Sequence, residues 1–317
     1  MASQKPVIAV IGATGAQGSG LVRAILQDPD RRFTARAITR NPGAEKARAL
    51  TAQGAEVVGA DADDPATLER AFAGAAGAFC VTNFWEHLSP DREVAQARAM
   101  AGAAARADVR HVIWSTLEDT RAFVPVSDPR MPTLMDRYKV PHFDGKGEAD
   151  AVFAEAKAPT TLLRTSFYWD NLIYFGAGPK KDSSGQLVFA LPMADRKLPG
   201  IAAEDIGPCA YAIFLRGAEM IGRTVGIAGE HLTGAEMAAE LSTALGQPVR
   251  YLAMSFDAYR KLGFPGAEDL GNMFQYKHDF EREFCGARPV DQTRVLYPGL
   301  QTFRQWLARH GKQIPLS

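Results

Sequence analysis

Cysteine is scarce in this 317-residue chain: Cys80, Cys209 and Cys285 are odd in number and scattered. No two stand at metal-ligand spacing and the six His do not cluster, so neither a disulfide framework nor a metal site is expected. The cysteines read as small hydrophobes in a reducing compartment, which points to the cytosol. Neither sign of charge is in excess, with 36 basic and 36 acidic residues. A broad basic face for nucleic acid as the primary ligand is therefore not expected. No apolar run approaches the ~20 residues that span a bilayer, so no membrane association is expected. The opening MASQKPVIAVIG has no charged segment or cleavage site, and no secretory signal is read. Repeats and low-complexity tracts are also lacking.

What is present is apolar content of 46%, enough for a chain of this length to bury roughly 75% of its unfolded surface in one large or two modest cores. Short β-rich runs at 7–11, 33–39, 56–60, 78–82 and 111–115 alternate with helical compositions at 16–26, 45–53, 66–72 and 93–106. Strand and helix in turn imply right-handed crossovers and a doubly wound parallel sheet. The run Val7-Ile8-Ala9-Val10-Ile11 is apolar throughout, as a strand covered on both faces requires. The rhythm breaks over 117–141, which carries Pro125, Pro129, Pro132 and Pro141; long irregular connections of this kind often serve as lids. A helix at 143–155 and a strand at 160–165 restore the pattern. Short strands such as 187–190 and helices at 204–215 and 234–245 follow. The expected organisation is an α/β fold: a Rossmann-type dinucleotide domain over 1–165, to which segments near 197–229 return, and a smaller α+β substrate or partner domain over 166–317.

Directly after the first strand stands Gly12-Ala13-Thr14-Gly15-Ala16-Gln17-Gly18, opening a helix. A pyrophosphate is stabilised by the free N–H groups and dipole of a helix N-terminus, and glycines let the backbone approach it. The spacing is G-x-x-G-x-x-G; its position between strand and helix is what makes it diagnostic. About 20 residues on, NAD binders place an acid for the ribose 2′-hydroxyl, whereas this chain has Ile38-Thr39-Arg40-Asn41. Arg40 can pair in bidentate fashion with a 2′-phosphate, Thr39 and Asn41 add donors, and Lys46 adds charge; NADP(H) is the expected cofactor. Asp61, ending the third strand, is a candidate acceptor on the adenine side, or equally a surface carboxylate.

The chemistry should lie beyond the carboxyl ends of the strands. Thr82 and Asn83 follow the fourth strand as candidate cofactor contacts, with Phe84 and Trp85 as candidate walls of the nicotinamide pocket. Ser115 and Thr116 end the fifth strand, where a short-chain dehydrogenase keeps a hydroxyl that orients the substrate carbonyl. The Tyr-x-x-x-Lys expected next is here His142-Phe143-Asp144-Gly145-Lys146. Lys146 is the candidate ribose ligand. His142 could exchange protons near neutral pH, or could simply pack.

Taken together, these residues resemble the NmrA-like family of atypical short-chain dehydrogenases. The resemblance rests on IGATGAQG, ITRNP, VTNFWE, HFDGKGEAD, the stretch Ser166-Phe167-Tyr168-Trp169-Asp170-Asn171 and YRKLGFPGAEDLGNMF, and it spans almost the whole chain. It is greatest to the branch of NADPH-binding redox sensors. The resemblance implies that Gly12, Thr14, Gly15, Ala16, Gln17, Gly18, Arg40 and Asn41 hold the dinucleotide. Thr82, Asn83, Phe84, Lys146 and Phe167, Tyr168, Trp169 and Asp170 would close around its other parts. Gly43-Ala44-Glu45 stands where the sensors are richly basic. The family divides between NADPH-dependent reductases and non-catalytic sensors of the NADPH/NADP ratio that act on a protein partner. Lys146 and the aromatic pair favour a reductase of small quinone-, imine- or aromatic-type acceptors; the missing Tyr favours a sensor. Whether the chain forms a homodimer is left open.

Overall fold

β1 (Val7–Val10) is the central strand that its apolar, β-branched sequence requires: it pairs in parallel with β2 (Thr34–Thr39) on one side and β4 (Ala75–Cys80) on the other. The computed structural model describes residues 5–316 and divides into two units. Among the described residues, the first comprises 5–119, 142–164 and 204–225; the second comprises 120–141, 165–203 and 226–316. In the first unit, β3 (Glu56–Gly59), β5 (His111–Thr116) and β6 (Thr160–Arg164) extend the sheet, and the short strand Thr224–Gly226 closes its edge. The order is Thr224–Gly226, β6, β5, β4, β1, β2, β3, with parallel pairing from β6 to β3. This is the doubly wound Rossmann-type arrangement, and its order reverses between β1 and β4, where such sheets bind ligands.

The helices start where the sequence supplies a stop for their free N–H groups. In α3 (Pro65–Phe72) the Asp64 carboxylate accepts from Ala66 N at 3.1 Å, and Pro occupies the first position. In α4 (Pro90–Arg106) the Ser89 hydroxyl does the same for Arg92 N at 3.2 Å. The α4 face of Ala97, Met100, Ala101 and Ala104 joins Phe72, Trp114 and Phe153 in one apolar layer. Trp114 of β5 stacks on Phe153 of α5 (Pro141–Glu155) at a centroid separation of 5.0 Å. On the other face, the helix Ala203–Arg216 crosses α1 (Gly18–Leu26) with no room for side chains at the contact. A Cβ on Gly207 would lie 2.0 Å from Leu21 N. Cys80 and Cys209 are free and buried in this unit, and burial pushes both thiols well up.

Several boundaries differ from the sequence pattern in ways that matter for the site. The first helix begins at Gly18 rather than residue 16, because Gly12, at φ +65°, turns the chain sharply out of β1 and 13–17 complete the turn. The fourth strand ends at Cys80, so Thr82 lies clear of the ladder. Helix α5 starts at Pro141, whose fixed φ and missing N–H suit a first turn, which makes His142 helical.

The second unit holds two three-stranded sheets. In one, Lys197–Ile201 lies between Glu230–Thr233 and Phe167–Tyr168; in the other, Leu187–Leu191 lies between Val249–Ala253 and Lys180–Lys181. Residues 120–141 differ from the expected lid: they are tied firmly into this unit. Lys139, 1% exposed, donates from Nζ to Asp128 O and Met131 O, both at 2.7 Å. Asn272 Nδ2 donates to Pro132 O and Lys139 O at 2.9 and 2.5 Å, and Gln275 Nε2 donates to Arg130 O at 2.8 Å. Among the described residues, no helix is long and apolar enough to cross a membrane.

Candidate dinucleotide site

The turn after β1 is shaped by what cannot be there. A Cβ on Gly18 would lie 2.4 Å from the carbonyl oxygen of Gly12, and that atom belongs to the backbone and cannot swing aside. The loop closes through Gly15 N donating to Gly12 O at 2.8 Å and Ala13 N donating to Ile38 O at 3.3 Å. Helix α1 then opens with no side-chain cap at Gln17 and no acid in its first turn. An uncapped N-terminus at the sheet's reversal point suits a phosphate, which takes the place of a cap. Thr14, Ala16 and Gln17 lie in this turn, so the residues present fit a dinucleotide pyrophosphate.

At the end of β2, Thr39 Oγ1 accepts from Asn41 N at 3.3 Å and Asn41 Oδ1 from Gly43 N at 3.1 Å; both side chains brace the turn. Lys46 is exposed in the first turn of α2 (Glu45–Ala52). Asp61 Oδ1 accepts from Asp63 N at 3.0 Å, which ties this carboxylate into the turn after β3. Arg40 is not open-handed: Nη1 and Nη2 donate to Glu86 Oε2 and Oε1 at 2.7 and 2.9 Å. Glu86 ends the 3-10 turn Phe84–Glu86, and Oε1 accepts also from Asn83 Nδ2 at 3.0 Å. Burial works to raise the Glu86 pKa, but the bonds from Arg40 and Asn83 outweigh it and hold the carboxylate below its ordinary range.

Beyond β4 a second charged cluster forms. Lys146 Nζ donates to Thr82 Oγ1 at 2.6 Å and reaches Glu93 Oε2 at 3.3 Å, while the Thr82 hydroxyl donates to the same carboxylate oxygen. Glu93 lies in the first turn of α4 with its side chain 0% exposed; that of Lys146 is 12% exposed. The other oxygen, Glu93 Oε1, is buried with no hydrogen-bond partner among the described residues. His142 lies one helical turn before Lys146, its ring 4.9 Å from Trp85 and 5.9 Å from Phe84. Imidazole and ammonium thus share one face of α5, as residues four apart must.

Thr116 is spoken for. Its Oγ1 lies 2.5 Å from Asp150 Oδ1 and 3.2 Å from Lys146 O, so the hydroxyl braces α5 against β5 and has no hydrogen left to orient a substrate carbonyl. Trp114 Nε1 donates to the same Asp150 oxygen at 3.0 Å. Burial of Asp150 outweighs these bonds and the nearby Arg164, and pushes its carboxyl up to about 6. Ser115, beside it, is buried.

In the second unit, Phe167 is buried and the Tyr168 hydroxyl lies 3.2 Å from Thr165 Oγ1. The Trp169 side chain packs inside its own unit. It is 1% exposed, with its ring centroid 5.3 Å from that of Phe303 and 6.4 Å from that of Trp306; Gly200 lacks a Cβ where the indole nitrogen passes. Asp170 Oδ2 accepts from Ala203 N at 2.9 Å. Sequence reasoning missed Glu86 and Glu93. Each acts through a partner distant in the chain, and neither spacing nor composition marked it. Among the described residues, no group of three or more His, Cys, Asp or Glu is placed to hold a metal ion.

Fold and cradle together define a dinucleotide-fold protein of the short-chain dehydrogenase type. The NmrA-like family model matches residues 4–307, and the chain belongs to that family. It is 29% identical to the NmrA-like family domain-containing oxidoreductase FrzB of a Cladobotryum species, over 90% of this chain and 88% of that one. It is 31% identical to an NAD(P)H azoreductase of Xenophilus azovorans, over 79% and 78%. Among solved structures, NmrA, a negative transcriptional regulator crystallised with NADP, superposes with a TM-score of 0.77 at 23% identity, covering 96% and 95% of the two chains.

Proposed function

We propose that this protein is an NADPH-dependent reductase of a small, electron-poor acceptor of the quinone, imine or aromatic type. The observation that carries the dinucleotide reading is the uncapped, acid-free N-terminus of α1 behind Gly18. The reductase reading is supported by Lys146, held at the end of β4 by Thr82 and Glu93, and by the names of relatives, an oxidoreductase and an azoreductase. The Glu93 carboxylate and the Thr82 hydroxyl beside the ammonium fix its position, as orienting ribose hydroxyls requires.

Such a dinucleotide supplies hydride donation when bound. The chain's own contribution is binding and orientation. The turn 12–18 and the first turn of α1 would hold the pyrophosphate, Arg40 and Asn41 the adenosine end, and Lys146 with Thr82 the nicotinamide ribose. Phe84 and Trp85 would exclude water beside His142, the candidate proton donor. The lysine-paired phenol that would donate a proton to a carbonyl is absent here, and His142 stands in its place. Acceptors that need little protonation in the transition state therefore suit this site better than ketones. Free, buried Cys80 and Cys209 agree with a reducing cytosolic setting.

The test is oxidation of NADPH by purified protein with a panel of quinones, azo compounds, imines and ketones. Turnover of the first three classes well above ketones is expected. NADPH binding without turnover of any acceptor would overturn the reductase reading and leave a sensor of the NADPH/NADP ratio acting on a protein partner. If neither dinucleotide bound, both readings would fall.

A further inference from the structure

We infer that Glu86 is a cofactor-specificity residue: it occupies the guanidinium of Arg40 as an internal rival of the 2′-phosphate and so limits the preference for NADPH over NADH. The inference rests on the dinucleotide reading above and deepens it.

Arg40 stands at the end of β2, the position that decides between a ribose hydroxyl and a 2′-phosphate. Its terminal nitrogens both bond the Glu86 carboxylate, at 2.7 and 2.9 Å. A guanidinium recognises phosphate through paired N–H groups in one plane, the geometry that a carboxylate also satisfies. Glu86 is not a stray surface acid that happens to reach. It sits on the tight turn Phe84–Glu86, where Glu86 N donates to Asn83 O at 3.2 Å and Asn83 Nδ2 holds Oε1 from the other side. The carboxylate is thus presented ready-made, without the ordering that a flexible side chain requires.

A 2′-phosphate arriving at Arg40 must displace Glu86 or share the guanidinium with it at close range. Displacement breaks two charge-assisted bonds; sharing sets two anions beside one cation. NADH meets neither obstacle, because a ribose hydroxyl makes no demand on the guanidinium. The side chains of Arg40 and Glu86 are 62% and 43% exposed, so water and salt soften both effects and the handicap is moderate. Gly43-Ala44-Glu45 brings no basic group into the adjoining turn, and the next cation in the chain is Lys46 in the first turn of α2.

The test is calorimetric titration of the wild type, Glu86→Gln, Arg40→Ala and the double variant with NADPH, NADH, adenosine 2′,5′-bisphosphate and 5′-AMP. Glu86→Gln should tighten NADPH and the bisphosphate about fivefold or more and leave NADH and 5′-AMP within twofold. In the Arg40→Ala background the same change should have no such effect. The wild-type preference for NADPH should stand below tenfold and exceed it in Glu86→Gln. If NADPH binds and Glu86→Gln leaves it unchanged or weakens it, Glu86 does not compete and the inference fails while the dinucleotide reading stands. If no nucleotide binds any variant, the dinucleotide reading fails and this inference with it.

Discussion

Replacing Lys146 with Met removes an ammonium group and keeps most of the stem, and its first effect should be on stability. Glu93 is wholly buried and takes its charge compensation from Lys146 Nζ at 3.3 Å. Without it the carboxylate keeps a single donor, the Thr82 hydroxyl, which itself loses the 2.6 Å bond from the lysine. Breaking a buried pair on one side costs about 3–5 kcal/mol. The 12% exposure of the lysine lets water reach the gap, which favours the lower end. At about 2–4 °C per kcal/mol, Lys146→Met should melt about 6–12 °C below the wild type. Glu93→Gln in the same background removes the stranded charge and should recover half of the loss or more, a coupling of about 1.5–2 kcal/mol. Calorimetric melting of the four proteins reads this directly. A Lys146→Met variant that melts within 2 °C of the wild type, or one that Glu93→Gln does not relieve, would refute the reasoning. The cycle also separates fold from chemistry. If Lys146 holds the ribose, kcat/KM should remain about 10²-fold down in the rescued double variant.

Gly18→Ala should weaken dinucleotide binding by tenfold or more in calorimetry, because its Cβ would lie 2.4 Å from a backbone oxygen of the cradle; unchanged affinity would refute the tight turn. Asp150 binds its proton more tightly folded, near 6, than unfolded, near 3.8, so stability should fall as pH rises between those values, by up to about 3 kcal/mol. Urea melts of Asp150→Asn should lack that fall and exceed the wild type at pH 7; a parallel pH profile would count against it. The backbone of 120–141 should be protected from hydrogen exchange without any ligand, given the bonds from Lys139, Asn272 and Gln275. Fast exchange across the segment would restore the lid.

The sheet was legible because its signals are local and redundant. An apolar, β-branched run such as 7–11 ahead of a glycine turn reads as a covered strand, and six strands alternating with five helices leave one economical topology. Where the reading slipped, a tertiary contact had overridden a local one. The prolines of 117–141 suggested a free connection, yet a buried lysine and two amide side chains from far along the chain organise it. The resemblance implied Trp169 as a cofactor contact, but the opening that Gly200 leaves and the rings of Phe303 and Trp306 draw its side chain into the core of its unit.

The glycines of the candidate site could be read from sequence because their message is carried by the backbone: Gly12 turns at φ +65° and Gly18 leaves no room for a Cβ. Charged groups carry no such message, because a charge is defined by what faces it. Glu93, in the first turn of α4, reads as an ordinary acid favoured by the helix dipole; only folding shows that it lies beneath Lys146. Arg40 is the sharper case. Its position names the phosphate it could bind, but its availability depends on Glu86, 46 residues away on a turn whose sequence does not show what the acid faces. Cofactor preference in such a protein follows from the free energy of exchanging one anion for another on the same cation. A strand-end arginine is therefore half of a specificity determinant, and the acid that faces it is the other half.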